Sequence, residues 1–280
     1  MAKLLTVLIA GAGFGLAASG VALADDMAAK TPPPPAPVYS WAGYYVGGNA
    51  GYSWARPNSD TTLTGIGAPV TFGPFTFAHS DPLKFHGVIG GAQIGYNWQA
   101  MPNWVYGLET DWQASGEKAG LSYSDPYAGT RPGFIAAGAA NTNYDAKILW
   151  FGTVRGRVGY AADRLLIYGT GGLAYGQVKL AGTMMDSGTT LIICGPLCSP
   201  TPFGRTAPFN VSRVNAGWTA GVGVEGALVG NWTWQVEYLY VDLGSLNIFA
   251  PGPFAPETIN VHTRFTDNIV RAGLNYKFGN

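Results

Sequence analysis

Through most of this chain, large apolar side chains recur at every second position and small or polar ones fill the places between. Val214, Ala216, Trp218, Ala220, Val222 and Val224, for example, alternate with Asn215, Thr219, Gly221, Gly223 and Glu225. A period of two puts the two sets on opposite faces of a β-strand. A helix, with about 3.6 residues per turn, would mix them. Seven further segments repeat the pattern. Trp41 to Trp54 sets Tyr44, Val46, Tyr52 and Trp54 against Gly47, Asn49, Gly51 and Ser53. Phe85 to Gln99 sets Val88, Ala92, Ile94, Tyr96 and Trp98 against Gly91, Gln93, Gly95 and Asn97. Trp104, Tyr106, Leu108 and Trp112 oppose Gly107, Glu109, Asp111 and Gln113, within Trp104 to Ala114. Leu149 to Tyr160 alternates Val154, Val158 and Tyr160 with Thr153, Arg155 and Arg157. Leu165 to Val178 is rich in glycine, and its facing stays open. Trp232, Trp234, Val236, Tyr238 and Tyr240 share one face, with Gln235 and Glu237 on the other. Asp267 to Phe278 closes the series, with Val270, Ala272, Leu274, Tyr276 and Phe278 against Arg271, Gly273, Asn275 and Lys277.

Composition decides which face meets which medium. Charged residues make up only 11% of the chain, against about 25% in an ordinary soluble domain. Yet mean hydropathy is only +0.11, too low for helices that each need about 20 apolar residues to span a membrane. A wall with one lipid-facing side and one polar side reconciles the two. A soluble lipocalin-like barrel would turn polar side chains outward, whereas the repeating face here is aromatic. Aromatics also crowd the segment ends, as interfacial girdles do. Trp54, Phe85, Trp150, Tyr175 and Tyr240 fall toward one end, and Trp98, Trp104, Tyr160, Trp232 and Phe278 toward the other. The connections alternate in length. Ala100 to Asn103, Ala161 to Arg164 and Val229 to Asn231 are tight, whereas 56–84, 115–147, 179–212 and 244–262 are long and rich in Gly, Pro, Ser, Thr and Asn. These features predict an all-β fold: an eight-stranded antiparallel transmembrane β-barrel with short periplasmic turns and long extracellular loops. Its place is the outer membrane of a Gram-negative cell envelope.

The N-terminus agrees with that destination. Lys3 precedes an apolar stretch from Leu4 to Leu23, and Ala22-Leu23-Ala24 fits the small-x-small cleavage rule. The expected organisation is a cleaved signal peptide at 1–24, a Pro-rich periplasmic linker at 25–40 that packs against nothing, and a barrel at 41–280. The expected partners are outer-membrane lipid and, during biogenesis, periplasmic chaperones and the barrel-assembly machinery. A formal net charge of zero argues against nucleic acid. Cys194 and Cys198 stand close together in an exported chain, which favours a small disulfide-closed loop over a metal site.

Side chains fill the interior of a barrel this narrow, so its inward charges matter. Glu109, Asp111, Glu225 and Glu237 are the acids, and Arg155, Arg157, Arg271 and Lys277 the bases. Strand adjacency predicts that Glu109 and Asp111 face Arg155 and Arg157, with Glu225 and Glu237 near Arg271. Such a set serves either as a polar plug or as the charged constriction of a small-solute pore. No catalytic, cofactor or metal site is predicted. The GxGxxG match at Gly221–Gly226 lies inside a strand and not between a strand and a helix. No acid or serine at strand spacing completes a catalytic set around His79, His86 or His262. The long loops leave room for adhesion or ligand binding at a host or cell surface and name no partner.

Three stretches carry a family resemblance: PPPPAPVYSWAGYYVGGNAGYSW, WFGTVRGRVGYAADRLLIYGTGGLAYG and NIVRAGLNYKF. They resemble the small outer-membrane immunogenic protein family of α-proteobacteria, porin-like barrels of Brucella and its rhizobial relatives. The resemblance covers residues 31 to 280 apart from the outer loops. It implies an abundant surface antigen with no enzyme activity and no cofactor.

Overall fold

A computed structural model of the chain describes residues 39–66, 74–193, 199–253 and 256–278. The expected signal peptide, most of the expected linker, and the Cys194–Cys198 disulfide lie outside the described residues. The strands are β1 (Gly43–Ala55), β2 (Asn58–Ile66), β3 (Pro74–Pro82), β4 (Phe85–Met101), β5 (Trp104–Ser115), β6 (Lys118–Arg131), β7 (Phe134–Ala162), β8 (Leu165–Ile192), β9 (Thr201–Ala227), β10 (Trp232–Pro251) and β11 (Thr258–Phe278). All pairings are antiparallel. The order β1-β4-β5-β7-β8-β9-β10-β11 returns to β1 through the β1–β11 ladder, which runs from Tyr44↔Phe278 to Trp54↔Asn268. The alternating segments are the members of this ring, and ring closure leaves them no free edge.

The facing follows the sequence pattern. Tyr44 is 62% exposed and its neighbour Tyr45 2%, the contrast that a pleated wall with a filled interior produces. The glycine-rich β8 obeys the same rule: Leu165, Ile167, Leu173 and Tyr175 point out, while Leu166, Tyr168 and Ala174 point in. Outward aromatics pair at one end as Tyr44–Tyr96, Trp104–Tyr160 and Trp232–Tyr276. At the other end they pair as Trp150–Tyr175 and Trp218–Tyr240. These bands bound the membrane-spanning part, from Tyr44 to Trp54 in β1 and from Asn268 to Phe278 in β11.

Three expectations need correction. Phe85 is not part of a girdle; it is 2% exposed and points inward. Trp41 is not in the first strand, which begins at Gly43, and the linker residue Tyr39 is half-buried against Trp41, as described below. Most importantly, the segments expected as loops are largely strand. β7, β8 and β9 contain 29, 28 and 27 residues, whereas a tilted membrane strand needs about 9–11. Their Gly, Thr and Ser content suggests turns, yet inward apolar residues still alternate there: Ala136, Ala140, Tyr144, Ala146 and Ile148 in β7 are all buried.

Beyond the outer aromatic band the ring divides. The β9–β10 ladder stops at Trp218↔Asp242, while β11 leaves β1 and pairs with β2 from Thr263↔Ser59 to Thr258↔Thr64. β6 joins β7 along its full length. Two four-stranded sheets result, β3-β2-β11-β10 and β6-β7-β8-β9. Leu63, Leu246, Ile248, Ile259 and Val261 of the first share one buried apolar cluster with Tyr144, Ile148, Val178, Leu180, Met184 and Phe209 of the second. On one flank His79 Nε2 lies 3.0 Å from both carboxylate oxygens of Asp125, and its ring stacks 4.1 Å from that of Tyr123, linking β3 to β6.

Candidate functional site

The lumen is filled in three layers. At the end with the short turns Trp41, Val105, Ala161, Leu166 and Tyr168 form an apolar floor. Trp41 donates its backbone N–H to Gln99 Oε1 at 2.8 Å and its indole N–H to the Asp163 carbonyl at 3.1 Å. Tyr39 packs edge-on against its ring at 5.0 Å. The chain turns from this plug into the wall at Gly43, where φ is +127° and an added Cβ would stand 2.8 Å from the Phe278 carbonyl oxygen. Glycine alone fits both constraints.

The middle layer is ionic. Arg155 donates from Nη1 to Glu237 Oε1 at 2.9 Å and from Nη2 to Asp111 Oδ2 at 3.0 Å, and it also meets Glu109. Arg271 donates from Nε to Glu237 Oε2 at 2.8 Å, and its Nη2 lies 2.9 Å from Asp111. Arg157 donates to Glu225 Oε2 at 2.6 Å and to the Tyr45 hydroxyl at 3.1 Å; that hydroxyl in turn donates to Glu109 at 2.6 Å. The Arg157 guanidinium also lies 4.4 Å from the Tyr168 ring centre. Charge-assisted, partly bidentate contacts of this kind compensate for desolvation.

Two members depart from the expected pairing. Glu225 meets Arg157 and not Arg271, because it stands opposite Gln235, two residues nearer the short turns than the directly opposed Glu237–Arg271 pair. Lys277 sits outside the ion layer: its ammonium donates to the Ser40 carbonyl and lies 4.6 Å over the Tyr39 ring. Sequence reasoning also missed the neutral partners. Asn49 donates to Gln93 at 2.8 Å, Gln93 to Asn275 at 2.7 Å, and Asn275 to Gln235 at 3.0 Å, an amide chain crossing β1, β4, β11 and β10. Their inward parity in the alternation was the available signal.

Above the ions, Phe85, Ile89, Phe151, Ala174, Leu239 and Ile269 form an apolar lid that continues into the core of the two sheets. Sealed between floor and lid, no member of the ionic layer, from Arg155 at 1% to Glu109 at 4%, is appreciably accessible to water. Just beyond the membrane-spanning part, Glu117 and Asp267 are buried side by side near Ser53. Burial first, and then the Asp267 carboxyl, push the Glu117 carboxyl well above the usual carboxylate range.

Residues 14–278 match the family model of the outer membrane protein beta-barrel domain. The chain belongs to this family. It is 37% identical over 273 residues to the 31 kDa outer-membrane immunogenic protein of Brucella melitensis, covering 92% of this chain and 93% of that one. It is 29% identical over 245 residues to the 22 kDa outer membrane protein of Rhizobium leguminosarum, covering 88% and 82%. It is also 29% identical over 265 residues to the 25 kDa outer-membrane immunogenic protein of Brucella abortus, covering 93% and 92%. As a member of the outer-membrane β-barrel family, this chain resides in the cell outer membrane.

Proposed function

We propose that the ring is an eight-stranded transmembrane β-barrel that stands in the outer membrane as a closed post. It displays the two-sheet extension at the cell surface as an antigenic scaffold. The observation that carries this reading is the ionic layer sealed between apolar floor and lid, since a water-filled constriction would leave its charges wetted. The alternative reading, a small-solute pore, has no such support. A catalytic role is equally unsupported by the histidines. His79 is engaged by Asp125 and Tyr123, His262 contacts Asn247, and His86 faces outward. In this reading residues 1–24 direct export and are removed, and chaperones with the assembly machinery insert the barrel. Purified protein in planar bilayers should give no stable single-channel steps. Reproducible steps of uniform size would replace the closed post with a pore.

A further inference from the structure

Just above the outer aromatic band the barrel wall carries a row of basic side chains. His86 of β4 stands opposite Lys118 of β6, Lys118 opposite Lys147 of β7, and Lys147 opposite Lys179 of β8. All four share the outward face; Lys179 is half-buried and the others are exposed. Directly opposed residues on neighbouring strands have Cβ atoms about 5 Å apart, and like charges there destabilise the pairing. Among the described residues, no carboxylate forms an ion pair with any of the three lysines, whereas the outward Arg264 nearby is engaged by Asp242. Asp145, the acid on the same face of β7, stands one outward position further from the membrane, opposite Gly120 and Ala181. Arg56 and Lys84, both exposed, extend the positive rim over β1 and the entry to β4. Such a row needs an anion from outside the chain.

Its height says which one. Lys179 follows the girdle residue Tyr175 by four positions, which on a strand tilted by about 45° lifts it roughly 9 Å. That distance reaches the headgroup layer, which adds several Å beyond the hydrocarbon on each side. Between the two, Trp150 donates its indole N–H to Gln177 at 2.8 Å and Gln177 donates to Ser212 at 3.0 Å, a polar step suited to the interface. Among the described residues the opposite rim has no counterpart. There Arg164 is tied to the Leu228 carbonyl at 2.8 Å and Lys277 is turned inward.

We propose that His86, Lys118, Lys147 and Lys179 form a docking row for a phosphate-bearing anionic lipid of the outer leaflet. Ammonium groups on this lipid-facing wall meet phosphate as point charges. The proposal rests on the barrel crossing the outer membrane and not on its lumen being closed, so a conducting barrel would leave it intact.

The test compares the lipids retained by the full-length, membrane-extracted protein. Purified protein in mixed micelles is offered bisphosphorylated lipid A, its dephosphorylated form, or inorganic phosphate, and bound lipid is read by native mass spectrometry. The parent should retain the phosphorylated form about tenfold over the dephosphorylated one. K118Q/K147Q/K179Q should lose that preference while keeping its folded gel mobility. K118R/K147R/K179R, which keeps the charge, should retain it and carries the test together with Lys147→Gln if the triple glutamine variant does not fold. Equal retention of both lipids by the parent would overturn the proposal. So would an unchanged preference in the glutamine variants, or displacement of the lipid by inorganic phosphate at equal concentration, which would mark a free-anion site.

Discussion

Arg155 of β7 spans the lumen to Glu237 of β10, Nη1 to Oε1 at 2.9 Å, while its other amino group reaches Asp111 of β5 at 3.0 Å. One guanidinium thus ties together strands on opposite sides of the ring. Arg155→Ala would leave Glu109, Asp111 and Glu237 largely to Arg271, buried and under-compensated. Breaking a buried pair in this way costs about 3–5 kcal/mol. The variant should unfold at lower temperature or urea concentration, read by loss of the compact, fast-migrating band on unheated gels. An unchanged midpoint would mean that the layer is hydrated in solution.

The floor makes a separate prediction. Trp41 is 1% exposed and its indole N–H is bonded to Asp163 in the turn between β7 and β8, so Trp41→Ala removes both a large buried side chain and a tie. Truncations of this kind cost about 3–5 kcal/mol. The midpoint should fall by a similar amount to that of Arg155→Ala. The double variant should be nearly additive if the layers are independent. Strong non-additivity would show that floor and ion layer form one cooperative unit.

The barrel wall was open to sequence reasoning because lipid on one side and a crowded lumen on the other enforce a strict two-residue period. Even glycine-rich β8 conforms to it. Lys277 and Glu225 show where that reasoning stops. Parity placed both inward correctly, but a partner across a lumen depends on the stagger between strands, which a single sequence does not reveal. Trp41 escaped for a different reason: it continues the chain into β1 with a residue type that girdles also use, and only the turn at Gly43 separates plug from wall. The extension above the membrane was misread because small and hydroxylated residues serve turns and weakly packed strands alike.

The seam between β3 and β6 has no backbone pairing among the described residues, and the side chains of His79, Asp125 and Tyr123 close it. Asp125→Asn removes the charge that His79 approaches and should loosen this flank while leaving the membrane part intact. Limited proteolysis should then cut within 58–82 faster by several-fold, with no change in the urea midpoint of the barrel. Cleavage at the parental rate would show that the apolar core alone holds the two sheets together.

The last prediction concerns pH. Glu117 is buried beside Asp267, and its carboxyl is raised by burial first and by that neighbour second. In the unfolded chain it titrates in the ordinary carboxyl range, so above that range the native state holds a proton that the unfolded state has released. Stability then falls as pH rises from about 5 toward about 10, because the native state binds more protons throughout that window. Below the window both states are protonated and the effect vanishes. Glu117→Gln retains a donor toward Asp267 and cannot ionise. The variant should therefore be more stable than the parent at about pH 8, with a flatter pH profile of urea unfolding in detergent. A parent whose midpoint rises across this window, or a glutamine variant with the parent's slope, would show that the pair is ionised and compensated in the folded protein.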